Sequence, residues 1–306
     1  MAATEARGVP RGLAPAPTRR WRLSSITPSS RFYWVRLMIE NPAALLSFAF
    51  LMAITLVAVL APVIAPFEPN FVNPADRLEP PGGTYRFGTD DLGRDIFSRV
   101  VYGSRISLLV GLTVMVGAMT LGSFIGLVSG YYARLDTLLM RIMDGLEAFP
   151  SILLAIAIMA TLGTSTINVI VALSIVYTPN IARLVRSTTL MNRAQPYVES
   201  ARAIGMRDAA IMRRYIFMNS LSPLIVQGTF VVAFGILAEA SLSFLGAGVP
   251  PETPTWGSMV SAGQPRLQQA WWASVFPGTF LFATLLAINL IGDGLRDALD
   301  PRSRRR

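Results

Sequence analysis

The side chains that carry most enzyme chemistry are absent from this sequence. It has no His and no Cys, and all 27 basic residues are Arg. Thiol and imidazole catalysis, disulfides and His or Cys metal sites are therefore excluded. A phosphate loop of the GxxxxGK[ST] kind lacks its Lys, so the chain is not expected to hydrolyse ATP, and neither a cofactor nor a metal is expected. What remains is carboxylates, guanidinium groups and helix breakers. Asp90, Asp91, Arg94, Asp95 and Arg99 alternate in sign, which suits either contact with another protein or a self-satisfied surface fold; the interspersed Arg argue against a cation site. Arg141, Asp144 and Glu147 are spaced to pair along one helix. Glu239 stands in an apolar stretch, where it could hold a cationic solute, meet a partner's Arg or cap a helix break near Ser241 and Ser243. Pro179-Asn180 removes a backbone hydrogen bond, which suits a moving gate or a passive kinked helix.

The densest constellation is Pro196-Tyr-Val-Glu-Ser-Ala-Arg-Ala-Ile-Gly205-Met-Arg-Asp-Ala-Ala-Ile-Met-Arg-Arg-Tyr-Ile-Phe-Met-Asn219. Pro196 suits a first helical turn, and Glu199 complements the positive end of the helix dipole. Tyr197, Ala201 and Ile204 at i, i+4, i+7 predict one apolar edge. Gly205 allows a sharp change of direction, and Asp208 can cap a second helix through Ile211 and Ile216. Two short helices with a glycine corner make a lever that fits a partner's groove, or an amphipathic segment resting on lipid.

The elements that must position these residues are membrane spans. Of 306 residues, 52% are apolar and 15% charged, against roughly 25% charged in an ordinary soluble domain. Mean hydropathy is +0.49. Uncharged runs cover 43–66, 106–133, 148–182, 215–238 and 267–292. Since about 20 apolar residues cross a bilayer, the third run is too long for one helix. Gly163-Thr-Ser-Thr166 predicts a turn inside it, with the earlier helix drawing its first turns from 138–147. The expectation is an all-α integral membrane protein with six spans. On that topology 21 Arg fall on the side of both termini and six on the other, which places both termini in the cytoplasm. The net charge of +9 is thus a topology signal, and no nucleic-acid motif accompanies it. Residues 1–30 read as a disordered Arg/Pro-rich arm. Trp21, Phe32, Tyr33 and Trp34 suit a membrane interface, as do Trp271 and Trp272. Residues 31–105 read as the first span and an outer segment, 106–301 as the main transmembrane domain with 196–218 as its inner segment, and 302–306 as a basic tail.

Glu199-Ser200-Ala201-x-x-x-Gly205 resembles the EAA motif of ABC-importer permeases, which marks the loop that docks on the ATPase. Phe87-Gly-Thr-Asp90-Asp91-Leu-Gly-Arg94-Asp95-Ile-Phe-Ser-Arg99 resembles the segment before the second span of the dipeptide, oligopeptide and nickel permeases. So do Glu239-Ala-Ser-Leu-Ser-Phe-Leu-Gly246, Pro254-x-Trp256-Gly257 and Gly292-Asp-Gly-Leu-Arg296-Asp297-x-x-Asp300-Pro301. The resemblance spans about residues 30–301 and is specific for the C-type subunit. Departures are Ser200 for the motif's Ala, and Phe217-Met218 where the family has Leu-Pro, which predicts a smoother passage into the fifth span.

The resemblance implies a permease of the bacterial plasma (inner) membrane. It implies a second homologous permease, two ABC ATPases and an extracytoplasmic solute-binding protein as partners. It implies ATPase coupling through Glu199, Ser200, Ala201, Arg202, Gly205, Arg207 and Asp208, and carriage of dipeptides, oligopeptides or nickel chelates. Glu239, Pro179 and Asn180 are then candidates for the pathway or gate. Asp90, Asp91, Arg94 and Asp95 are candidates for contact with the binding protein or sister permease. A non-transporting scaffold would account for the spans but not for the 196–218 segment. A proton-coupled carrier would need a titratable relay, for which Glu239 alone is thin.

Overall fold

Lipid offers a chain no hydrogen-bond partners, so apolar stretches close their own backbone bonds as helices. The computed structural model describes residues 42–299, which are helical almost throughout and form no strand. The 1–30 arm, Trp21, Phe32, Tyr33, Trp34 and the 302–306 tail lie outside the described residues. Apart from single turns at Ala61–Ile64, Pro74–Asp76 and Gln264–Arg266, the helices are α1 (Pro42–Val59), α2 (Ile96–Tyr131), α3 (Ala133–Glu147), α4 (Ser151–Leu162), α5 (Thr166–Arg193), α6 (Pro196–Ala203), α7 (Asp208–Phe244), α8 (Trp256–Gly263) and α9 (Trp272–Leu299). Five of them (α1, α2, α5, α7 and α9) are long and apolar enough to cross a membrane.

The third span differs from the sequence expectation. Residues 138–147 do not run straight into 148–162; α3 and α4 meet at 93°. Pro150 explains the break, because it lacks an N–H and drives Phe149 out of the helical region. The expected turn after α4 is present. Gly163 has φ +82°, and the Ser165 hydroxyl accepts from Asn168 N at 3.1 Å to start α5. Connectivity makes the bent pair a crossing. α2 ends at Tyr131, whose carbonyl accepts from Arg193 at the far end of the 28-residue α5. That helix is about 42 Å long at 1.5 Å per residue, so α3 and α4 must carry the chain from one end of α5 to the other.

The same reasoning orders the ends. Ala44 near the start of α1 sits beside Gly294 of α9, and Arg296 shares a cavity with Leu184 and Asn219, close to the 196–218 segment. At the opposite end, the Trp272 indole donates to Thr89 O at 3.1 Å. Both ends of the described chain therefore lie with the α6–α7 corner, and the 65–95 segment lies across from them.

Helix packing rests on close backbone approach. Gly122, Gly126 and Gly130 form a G-x-x-x-G-x-x-x-G ridge on α2 against Ile181, Ala182, Val185 and Thr189 of α5. A Cβ at Gly126 would come within 2.5 Å of Ala182 O and 2.8 Å of Val185 Cβ. In lipid, small residues let helices gain dispersion energy that water would otherwise drive. α2 begins at Ile96, so the domain boundary expected at 105/106 falls inside a continuous helix.

Candidate functional site

The 196–218 segment folds into the expected corner, for a specific reason. Pro196 occupies the first turn of α6 and Glu199 lies in that turn. α6 ends in a Schellman motif: Met206 N bonds Ala201 O (3.1 Å) and Gly205 N bonds Arg202 O (2.9 Å). Gly205 takes φ +79°, a conformation that costs a residue with a Cβ roughly 1–2 kcal/mol. Ser200 only returns its hydroxyl to Pro196 O, so Ser for Ala leaves the helix intact.

Three sequence expectations need correction here. The apolar edge is not Tyr197–Ala201–Ile204. Val198 and Ala201 are buried against Tyr131, Ile211 and Ile216, whereas Ile204 is 78% exposed at the apex. Asp208 does not cap the second helix. Its carboxylate accepts from the hydroxyls of Tyr131 (2.6 Å) and Tyr132 (3.2 Å) at the end of α2. The passage into the fifth span is continuous but not smooth, because Met212–Phe217 is a π-helical segment inside α7. Such bulges recur at functional positions.

The corner is thus tied to α2 as well as to its neighbours in sequence. The Arg202 guanidinium stands 5.0 Å over the Tyr131 ring and its Nε is 3.3 Å from the Tyr131 hydroxyl. Burial, then the charge of Asp208, pushes the Tyr132 hydroxyl above its ordinary pKa. Glu199, Ser200, Ile204 and Arg207 are exposed without a side-chain bond to α2, and Arg202 and Asp208, also exposed, form the rim that bonds to it. One face is pinned to α2 and the other is exposed. The sequence signal for this junction was Tyr131-Tyr132 directly after the glycine ridge.

Glu239 is fully buried near the end of α7. Its Oε1 accepts from Ser243 (2.8 Å) and Thr255 (2.9 Å), while Oε2 has no hydrogen-bond partner among the described residues. Thr255 also caps α8, and Gly257 packs directly on the Ala240 backbone. Glu239 therefore ties α8 to α7. Pro179 is buried within an unbroken α5, and Asn180 beside it is exposed. Asp144 does not pair with Arg141 along the helix; both Asp144 (2.8 Å) and Glu147 (2.6 Å) meet Arg183 of α5.

The acidic cluster at 90–95 is largely spent internally. Asp90 accepts from Leu92 N, Arg94 N and Arg94 Nε (2.7 Å). Asp95 caps α2 through Ser98. Arg99, 3% exposed, donates to Pro69 O and Asn70. Asp90, Asp95 and Arg94 serve the loop itself, and Asp91 is the acid whose carboxylate has no hydrogen-bond or ion-pair partner among the described residues. Tyr85 donates to Asp76, and that bond, with burial, raises its pKa. Of the tryptophans expected at an interface, Trp272 is buried as a lock on Thr89, while Trp271 is half exposed.

Comparisons with known proteins agree with this architecture. The family model described as binding-protein-dependent transport system inner membrane component matches residues 118–305, and that of the N-terminal TM domain of oligopeptide transport permease C matches 33–81. A putative peptide transport system permease protein of Brucella abortus is 49% identical over 267 residues, 87% of this chain and 90% of the relative. The dipeptide transport system permease protein DppC of Alkalihalophilus pseudofirmus is 44% identical over 264 residues, 86% and 87% respectively. Among solved structures, an inward-facing MetNI methionine ABC transporter matches with TM-score 0.55 at 18% identity, covering 66% of this chain and 96% of that one, a likeness of fold.

Proposed function

This chain belongs to the binding-protein-dependent transport system inner membrane component family, and we propose that it passes small peptides into the cytoplasm as the C-type permease of a peptide importer. The peptide reading is supported by the relatives' names and their coverage of nearly the whole chain. In this reading the α6–α7 corner faces the cytoplasm with both termini, in line with the 21-to-6 Arg bias. ATPase subunits seat on its open face, around Glu199, Ser200, Ile204 and Arg207, with Arg202 and Asp208 at its rim and Ala201 and Gly205 holding its shape. A sister permease completes the pathway and a binding protein delivers the peptide on the far side, where Asp91 is the half-buried acid of the 90–95 cluster left without a hydrogen bond or ion pair among the described residues. Glu239, Pro179 and Asn180 act in the gate by holding helices rather than by touching solute.

The observation that carries this reading is the corner's two-sidedness. Its inner face is bonded to α2 through Tyr131 and continuous with α5 and α7, while its outer face presents an unpaired Ile204. A push on the outer face then moves three spans together, the kind of rigid-body change that switches access from one side to the other. The test is a single Cys at position 204 in the complex purified with its ATPases. Nucleotide-dependent cross-linking to an ATPase, and uptake of binding-protein-delivered peptide that requires ATP, are expected. Uptake without ATP, or no ATPase cross-link in any nucleotide state, would refute it.

A further inference from the structure

A groove of about 510 Å3 runs between the second half of α2 and the start of α7. Its walls include Met119, Phe124, Leu127, Phe217 and Leu224, with Ala209, Met212 and Arg213 from the start of α7. Three features specify an occupant. Arg213 is exposed and forms no hydrogen bond or ion pair among the described residues. It stands at the boundary of the uncharged 215–238 run, the level at which lipid phosphates lie. From Arg213 to Leu224 the groove follows eleven residues of α7, about 16 Å at 1.5 Å per residue, or half of the roughly 30 Å hydrocarbon core. That is the depth of one leaflet.

The wall also holds Ser123, 8% exposed, whose hydroxyl has no hydrogen-bond partner among the described residues. A pure hydrocarbon would leave it unsatisfied, whereas the ester region of a glycerolipid supplies an acceptor. We propose that this groove binds one anionic phospholipid from the leaflet on the corner's side, its phosphate on Arg213 and one acyl chain between α2 and α7. The chain lies against the π-helical Met212–Phe217 segment, so the lipid wedges the joint between the corner and the spans. The site rests on the chain spanning a membrane and not on the solute it carries.

The test uses the full-length chain, extracted in mild detergent and delipidated, with phosphatidylglycerol as the probe in native mass spectrometry. Arg213→Gln is expected to weaken phosphatidylglycerol retention about fivefold, the effect of one basic residue near an anionic surface. Thr120→Trp, from an exposed position on the groove, is expected to abolish it by filling the space, and Ser123→Ala to weaken it modestly. Arg214→Gln removes the same charge off the groove and should leave retention unchanged. Equal losses in the Arg213 and Arg214 variants would mean diffuse attraction and overturn the site. Retention that is unaffected by Thr120→Trp, or cross-linking from position 124 to a sister permease instead of to lipid, would also overturn it.

Discussion

Removing one oxygen from the chain tests whether the corner is held on α2. Tyr131→Phe keeps the ring that packs on Val198, Ala201 and Ile211 and that faces Arg202. It deletes the hydroxyl that donates to Asp208 at 2.6 Å and lies 3.3 Å from Arg202 Nε. A hydrogen bond to a charged group is worth about 1.5–3 kcal/mol net. Asp208 is exposed and retains the 3.2 Å bond from Tyr132, so the loss should be nearer 1 kcal/mol. That is about a fivefold shift in the opening equilibrium of the corner. Amide hydrogen exchange reads this equilibrium directly. Amides of 198–212 should exchange about fivefold faster in Tyr131→Phe, with α2 and α5 unchanged above their ends. Tyr132→Phe should have a smaller effect, and the Tyr131→Phe change should shrink in an Asp208→Asn background. No acceleration at the corner, or acceleration spread evenly over the protein, would refute the attachment.

Other perturbations follow from the same contacts. Gly126→Ala puts a methyl against Ala182 O and Val185 and should cost about 1–3 kcal/mol, seen as a lower melting temperature of the purified chain; Gly145→Ala, with open space around it, should not lower it. Glu239→Gln keeps an acceptor for Ser243 and Thr255, so peptide uptake should stay near wild type. Glu239→Ala takes the acceptor from both buried hydroxyls, which keep only the N–H groups of Val249 and Ser258 as donors to them, and should lower stability by about 1–3 kcal/mol. Equal loss of uptake in both would instead point to a carboxylate that binds cationic solute. Gly205→Pro cannot adopt φ +79° and loses the bond to Arg202 O, so ATP hydrolysis should continue while uptake per ATP falls severalfold. Unchanged uptake would count against the lever.

Composition and local spacing determined much of this protein. The uncharged runs specified where helices cross, because a bilayer admits few alternatives. Pro196, Glu199 and Gly205 specified a corner, because capping and left-handed backbone are properties of a few adjacent residues. The break at Pro150 and the glycine ridge at 122–130 were equally local and could have been read. What tertiary structure decided was which polar group meets which. Tyr131 lies 77 residues before Asp208, Asp144 39 before Arg183, and Glu239 16 before Thr255. Helical periodicity tells which residues share a face, but not which face turns inward when a second helix arrives. So Val198 is buried where Tyr197 was expected, and Ile204 stays exposed. The acids that read as contacts became internal caps for the same reason: a carboxylate near an unsatisfied N–H or an Arg spends its charge there first.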